Sequence, residues 1–339
     1  MEKHTLPRPP LELLELATAY QRSKTLFAFI EFGLPNLLAA APRGLSDIAR
    51  SLSIHPLAAD SFLSACIALG LLERSGEEYR NSSLSQNFLV QGRTEYLGDQ
   101  LSGDERRSAP GWEKLSENLR RWRPAKDDEA LPDEEDQGEA GMRDRHQLSL
   151  LVGGALAEAF DFSPFGRMLD LGGGTGAMSL SICAQHSKLR SLLYDLPRVA
   201  PLAREYARAS GMTERIEVVE GNFKTDELPA GFDVALLANL LSVASEESNR
   251  RLFKRIYERL PDGGAIILSG YILDDGRTSP LIPVLFCLQD INWQAPDVER
   301  EVSTYQSWLE DAGFVEIEHR AYCPPTSLLC GRKRMRVKG

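Results

Sequence analysis

The chain has 339 residues, of which 42% are hydrophobic and 26% are charged, and its formal net charge is -10. This length is sufficient for two domains, each with a buried core. The excess of acidic residues argues against nucleic acid as a partner, because surfaces that bind nucleic acid are basic.

The five cysteines form neither a CxxC pair nor a cluster with histidine, so we expect free thiols in a reducing cytoplasm and no metal site. The first residues contain no apolar signal-peptide stretch, and no apolar run is long enough to span a bilayer. The sequence therefore predicts a soluble, cytoplasmic protein without a membrane partner.

Residues 1–100 are predicted to form a mostly α-helical domain. Residues 11–40 are apolar at helical spacing over much of the circumference, which indicates burial against a partner chain. Residues 44–89 then read as two short helices and a two-stranded ribbon, the outline of a winged helix-turn-helix. The second short helix has no Lys or Arg to contact phosphate, so the pattern favours dimerisation or scaffolding over DNA binding.

Residues 101–147 are predicted to connect this domain to the rest of the chain through a helix and an acidic loop. The loop, residues 124–140, combines proline with a run of acidic residues, which is typical of a solvated segment. The alternative interpretation is a lid that closes over a bound ligand.

Residues 148–339 alternate between strand and helix patterns, with a helix predicted from Leu148 ahead of the first strand. Such alternation predicts an α/β domain of the Rossmann-like type, in which a parallel sheet carries helices on both faces. Ligands of these sheets bind beyond the carboxyl ends of the strands.

A glycine-rich loop, LDLGGGTG, follows the first predicted strand of this domain, and Gly172, Gly174 and Gly176 allow main-chain atoms to approach a ligand closely. Asp170 precedes the glycines and suits a ligand with an ammonium or sulfonium group. Asp195 ends the next predicted strand, where a carboxylate can accept both hydroxyls of a ribose.

The segments LDLGGGTG, YDLP, EGNF and LPDGGAIILSGYIL resemble class I S-adenosylmethionine-dependent methyltransferases. Together with the helical N-terminal region, they resemble the small-molecule O-methyltransferases that carry an N-terminal winged-helix dimerisation domain. This resemblance implies a seven-stranded sheet and a homodimer. It also implies S-adenosylmethionine as the cofactor, S-adenosylhomocysteine as the product and a small molecule as the acceptor.

The same resemblance assigns the remaining cofactor contacts. The glycine loop would surround the amino-acid end of the cofactor, and Leu196 and Phe223 would lie against the adenine. Asn222 stands where the family often has an aspartate near the adenine amino group, although a turn residue is an equal alternative. Arg145, or Arg143 beside it, resembles the arginine that meets the cofactor carboxylate.

The family's usual base is missing from this sequence. Ser242 stands at the position of the histidine that removes the acceptor proton, and a serine hydroxyl cannot act as a base near neutral pH. Of the five histidines, His146 is predicted to lie closest to the cofactor, although a packing role is favoured for it.

Residues 280–297 correspond to the family's acceptor-binding segment. Asp290 becomes a candidate base if burial raises its pKa, and a helix-capping role is the alternative. Asn239 is placed beside the methyl-transfer position and is a candidate for orienting the acceptor. The predicted acceptor contacts are Tyr271, Asn292 and Trp293.

The sequence therefore predicts O-methylation of a small aromatic or polyketide-like metabolite, without the usual histidine base. The alternatives are methylation of carbon or nitrogen, or a fold redirected to a pericyclic, decarboxylation or hydroxylation step. A ligand-sensing regulator is a third hypothesis, but it requires a basic recognition helix that this chain lacks.

Overall fold

A computed structural model of the protein describes residues 10–123, 138–295 and 297–335. The chain divides into two compact units, Met1–Asp104 and Glu105–Gly339. Most of the predicted acidic loop, residues 124–137, lies outside the described residues, so its interpretation as a lid stays a prediction.

The first unit has the winged-helix arrangement that the sequence predicts. Its elements are α1 (Leu11–Glu31), α2 (Leu34–Leu37), β1 (Arg43–Gly44), α3 (Leu45–Leu52), α4 (Pro56–Ala68), β2 (Leu72–Ser75), β3 (Glu78–Asn81) and α5 (Ser83–Phe88). The three strands form an antiparallel sheet in the order β1-β3-β2. Helix α1 leaves a set of large apolar side chains exposed: Leu11, Leu13, Leu14, Leu16 and Tyr20.

From Gly98 onward, the residues that the structure describes form seven more strands and the helices that flank them. The helices are α6 (Gly98–Glu113), α7 (Leu115–Arg121), α8 (Glu139–Ala159), α9 (Ala177–Gln185), α10 (Ala200–Ala209), α11 (Glu246–Arg259), α12 (Leu281–Asn292) and α13 (Val302–Ala312). The strands are β4 (Arg167–Leu171), β5 (Arg190–Asp195), β6 (Ile216–Glu220), β7 (Val234–Ala238), β8 (Ala265–Gly270), β9 (Val315–Cys323) and β10 (Thr326–Arg332). Helix α8 begins at Glu139, nine residues before the predicted start at Leu148.

The seven strands form one sheet in the order β6-β5-β4-β7-β8-β10-β9. The sheet is parallel from β6 to β8, as the alternation of strands and helices predicts, whereas β10 runs antiparallel to both β8 and β9. The physical reason is the connection, because only Pro324 and Pro325 separate β9 from β10 and a parallel crossover needs a dozen residues or more.

The strand order reverses beside β4, because the chain continues from β4 to β5 and β6 on one side and then returns to β7 on the other. The carboxyl ends of β4 and β7 therefore open a crevice of the kind in which α/β proteins bind ligands. The glycine loop follows β4 and Asn239 follows β7, so both lie at this crevice.

Among the described residues, two large apolar cores pack against the sheet, and a smaller one joins β5 and β6 to α9 and α10. One large core joins the strands to α11 and α13, and the other joins them to α8 and α9. Phe253 of α11 lies at the centre of the first core, where it is 0% exposed and its ring lies 6.3 Å from that of Trp308.

We expect Phe253→Ala to lower the free energy of unfolding by about 3–5 kcal/mol, because it leaves a cavity in this core. Urea unfolding followed by circular dichroism measures this change. The matched control is Leu84→Ala, since Leu84 is 54% exposed, and it should change stability by less than about 0.5 kcal/mol. Equal effects of the two substitutions would contradict the prediction.

Candidate functional site

The glycine loop turns sharply from β4 into α9. Gly172, Gly174 and Gly176 have φ values of 68°, 56° and 80°, the left-handed conformation that favours glycine. A Cβ atom on Gly172 would lie 2.5 Å from the Leu240 side chain, whereas one on Gly174 would meet nothing within 4 Å. The loop is therefore packed against the segment after β7 and is open at Gly174.

Asp170 lies buried beneath this loop. Ser179 donates a hydrogen bond to one carboxyl oxygen, and the other oxygen, Oδ1, is buried without a partner. Burial raises the pKa of Asp170 from 3.8 to about 6. An acceptor oxygen that no protein group satisfies fits a ligand with a donor group, and the ammonium of S-adenosylmethionine is one.

Asp195, at the end of β5, is hydrogen-bonded to the glycine loop. Its Oδ2 accepts from the Gly174 N–H at 2.7 Å, and its Oδ1 accepts from the Leu196 N–H at 2.7 Å. Burial raises the pKa of this carboxyl, while the two backbone hydrogen bonds lower it. Because a carboxylate has about four acceptor positions, both oxygens can accept further hydrogen bonds from a ligand.

The segment after β6 contains Asn222 and Phe223. The Asn222 side chain accepts a hydrogen bond from the Lys224 N–H at 3.0 Å, and the Asn222 N–H donates to Asp226 at 2.9 Å. These contacts are those of a turn residue, one of the two alternatives that the sequence left open. Phe223 is half-buried against the core that contains α11.

The structure separates the two candidate arginines of α8. Arg143 donates to both Glu139 and Glu205, so its guanidinium is held at the surface against α10. Arg145 is half-buried and lies two residues further along the helix, so it leaves α8 on a nearly opposite side.

The carboxyl ends of β7 and β8 border a narrow cavity of about 10 Å³, roughly the space of one water molecule. Its polar lining comes from Asn239, Ser269, Tyr271, Glu299 and Tyr305. None of these described lining residues is a histidine. Ser242 lies in the 3₁₀ turn Leu241–Val243 and does not line the cavity, although Leu240 and Leu241 before it do.

Glu299 lines this cavity and is a candidate site residue that the sequence analysis missed. It is 6% exposed and accepts a hydrogen bond from the Tyr305 hydroxyl at 3.1 Å. Burial raises the pKa of Glu299 from 4.5 to about 7, which is the range of an effective general base. In sequence it is one acid among several charged residues after α12, and no local pattern distinguishes it from a solvated side chain.

Asp290 is buried near Glu299. It is 2% exposed, and its Oδ2 atom has no hydrogen-bond partner. Burial and then the negative charge of Glu299 raise the pKa of Asp290 from 3.8 to about 9. Asp290 lies within α12, two residues before its end, so the capping alternative does not describe it.

Three aromatic side chains form a row from this cavity along α12. The Tyr271 and Phe286 rings meet edge to face at 5.0 Å, and Phe286 meets Trp293 at 5.7 Å. Asn292 accepts a hydrogen bond from Asn118 at 2.9 Å. The Trp293 ring N–H and the Asn292 side-chain N–H are buried without partners, so the segment can donate hydrogen bonds to a ligand.

Among solved structures, human N-acetylserotonin methyltransferase in complex with SAM is similar to the whole chain. The TM-score is 0.81 at 26% identity, and the match covers 99% of this chain and 100% of the other. With the glycine loop, Asp170 in β4 and Asp195 at the end of β5, this similarity defines an S-adenosylmethionine-dependent methyltransferase.

The sequence comparisons identify the family. Residues 125–315 match the O-methyltransferase domain, and residues 14–91 match the O-methyltransferase dimerisation domain. A 3-hydroxy-5-methyl-1-naphthoate 3-O-methyltransferase of Streptomyces sahachiroi is 34% identical over 93% of this chain and 92% of its own length. The tetracenomycin polyketide synthesis 8-O-methyl transferase of Streptomyces glaucescens is 31% identical over 98% of this chain and 99% of its own length. The chain therefore belongs to the O-methyltransferase family with an N-terminal dimerisation domain.

The predicted resemblance, fold class and cofactor are thus confirmed. In the part of the chain that the structure describes, no helix has the length and apolar character needed to cross a membrane.

The raised pKa of Glu299 gives a prediction about stability. Because the folded protein holds this proton more tightly than the unfolded chain, the free energy of unfolding falls as the pH rises from 4.5 to about 7. We expect Glu299→Gln to reduce this fall by roughly 1–3 kcal/mol. Urea unfolding at pH 5 and pH 8 measures it, with the exposed Glu158→Gln as the control. The same fall in Glu299→Gln as in the wild type would contradict the burial of this carboxyl.

Proposed function

We propose that the chain transfers the methyl group of S-adenosylmethionine to a hydroxyl of a small aromatic or polyketide-like metabolite. The observation that carries this proposal is the buried Glu299 carboxyl in the cavity between β7 and β8, beside the glycine-loop crevice. The names of the two bacterial relatives, which act on a naphthoate and in polyketide synthesis, support this class of acceptor.

The glycine loop and Asp170 are proposed to hold the amino-acid end of the cofactor. The open side of the loop at Gly174 admits a ligand, and the unpartnered Oδ1 of Asp170 accepts from its ammonium group. Arg145 is proposed to meet the cofactor carboxylate, because a guanidinium binds a carboxylate through charge-assisted hydrogen bonds and the family resemblance places an arginine here.

Asp195 is proposed to accept both ribose hydroxyls while it keeps its bonds to the loop. Leu196 and Phe223 supply apolar contacts to the adenine. Asn222 shapes the turn beside the adenine, and its remaining hydrogen-bonding capacity is offered to the adenine amino group. When bound, S-adenosylmethionine supplies an electrophilic methyl group on a positively charged sulfur.

Glu299 is proposed to remove the proton from the acceptor hydroxyl, directly or through one water molecule in the narrow cavity. The proton passes to a carboxylate oxygen, and the acceptor oxygen is then free to attack the methyl group. Because its pKa is raised to about 9, Asp290 keeps its proton at neutral pH. Glu299 is therefore the acid of this pair that ionises first. Ser242 provides a hydrogen-bonding hydroxyl where the family has its histidine.

The acceptor ring is proposed to lie against Tyr271 and Trp293, and Asn239 orients the reacting hydroxyl. Asn239 has a φ of 49°, and its backbone N–H is anchored to the Ser269 carbonyl, so the residue is held at the end of β7. The unpartnered N–H groups of Trp293 and Asn292 suit an acceptor that carries further oxygen atoms.

The partners that we propose are a small molecule and a second copy of the chain. Of the exposed apolar residues of α1, Leu14, Leu16 and Tyr20 lie within the matched dimerisation domain, and a contact between two copies would bury them. Nucleic acid is not proposed as a partner, because α4 carries no Lys or Arg.

Methylation of nitrogen is a second candidate. An N,N-dimethyltransferase of Streptomyces rimosus is 33% identical over 91% of this chain and 93% of its own length. A mass-shift screen that pairs phenols with the corresponding arylamines separates the two reactions.

We expect Asp195→Ala to weaken binding of S-adenosylhomocysteine by at least about 1–2 kcal/mol, because charge-assisted hydrogen bonds to the ribose are lost. Isothermal titration calorimetry measures the change, and the exposed Asp60→Ala is the control. Unchanged affinity in Asp195→Ala would contradict the ribose contact.

We expect Glu299→Gln to lower kcat by about 100-fold or more, because an amide cannot accept the acceptor proton. Methylation by the wild type should rise with pH around the pKa of Glu299 near 7, and this rise should be absent in the variant. Steady-state kinetics from pH 5.5 to 8.5 measure both effects, again with Glu158→Gln as the control. An unchanged kcat in Glu299→Gln would contradict its role as the base, and a large gain in turnover from Ser242→His would show that the acceptor needs a base that the wild type lacks.

A further inference from the structure

His146 of α8 contacts the glycine loop directly. Its Nδ1 atom lies 2.7 Å from the hydroxyl oxygen of Thr175. Thr175 is 6% exposed and stands between Gly174 and Gly176, two residues with positive φ. A side chain of α8 is therefore hydrogen-bonded to the centre of the loop.

The imidazole is itself held in place by α10. Its ring stacks on Tyr206, with 3.7 Å between ring centroids and 21° between the planes. Arg143 lies 5.6 Å from the Tyr206 ring centroid and pairs with Glu205, so the stacking partner is also fixed. Burial lowers the pKa of His146 from 6.5 to about 4, so the imidazole is neutral at physiological pH.

The hydrogen bond at Thr175 leads to the residues that meet the cofactor. Gly174, the residue before Thr175, donates its N–H to Asp195 at 2.7 Å. Gly176, the residue after it, is the N-cap of α9. A change in the position of Thr175 must therefore alter the backbone on both sides and the orientation of the Asp195 carboxylate.

We propose that His146 is a positioning residue, which fixes the glycine loop for cofactor binding through its hydrogen bond to Thr175. This inference rests on the proposed role of Asp195 and the glycine loop. His146 need not touch the cofactor, because its effect passes through Thr175.

Other contacts hold α8 against α9, so positioning can be separated from packing. The Ser181 hydroxyl donates to the Leu150 carbonyl at 2.8 Å, and Gln185 donates to the Gly154 carbonyl at 3.1 Å. Both contacts lie further along the two helices and do not involve the loop.

The test combines two substitutions that remove opposite ends of one hydrogen bond. His146→Phe keeps a ring on Tyr206 but lacks Nδ1, and Thr175→Val keeps the branched shape but lacks the hydroxyl. Each should raise the Kd for S-adenosylhomocysteine by about 3- to 10-fold. The Kd of the double variant should not exceed that of the single variant with the higher Kd, because both substitutions remove the same hydrogen bond. The KM for S-adenosylmethionine should rise while the KM for the acceptor stays unchanged.

Ser181→Ala is the matched control, because it removes a hydrogen bond of the same kind between α8 and α9. It should lower the melting temperature without changing the Kd, and His146→Asn, which retains a polar side chain, should recover part of the lost affinity. Wild-type affinity for S-adenosylhomocysteine in His146→Phe, or additive effects in the double variant, would overturn this inference and leave the proposed cofactor site intact. A wild-type chain that binds no S-adenosylhomocysteine would overturn the cofactor site and the inference together.

Discussion

The shape of the crevice depends on two hydrogen bonds that the Asp195 carboxylate accepts from backbone N–H groups. One bond joins the end of β5 to the glycine loop after β4, and the other turns the chain at Leu196. Because both donors belong to the backbone, their positions do not depend on the rotation of another side chain. These hydrogen bonds give the loop a defined shape, so ligand binding loses less conformational entropy in the loop.

On the side of the crevice formed by β7 and β8, burial determines the pKa values of the acids. Asp290 and Glu299 lie out of contact with bulk water, where a carboxylate loses most of its hydration, so both hold their protons more tightly than usual. Arg300 pairs with Asp297, a third buried acid, at 2.5 Å. Burial thus raises the pKa of acids in both halves of the crevice, because Asp170 and Asp195 beside the glycine loop are shifted in the same direction.

Local patterns were sufficient for the parts of the fold that depend on neighbours in sequence. The glycine loop and Asp195 were predicted because strand, turn and acid follow one another within the chain. The direction of β10 was not predicted, because alternating patterns do not distinguish a hairpin from a crossover. Glu299 was missed because its burial depends on how α12 and α13 pack, which involves residues distant in sequence. Asn222 stayed ambiguous, since a turn and a ligand contact favour the same residue type.

The position of β10 has a consequence for the order of folding. This strand lies between β8 and β9, yet it is synthesised after both of them. Until the ribosome has produced Thr326–Arg332, β8 has an open edge and β9 has no place in the sheet. An unpaired edge of this kind can pair with other nascent chains. Release of an incomplete chain would therefore expose a strand that is otherwise buried, and such fragments are candidates for aggregation or chaperone capture.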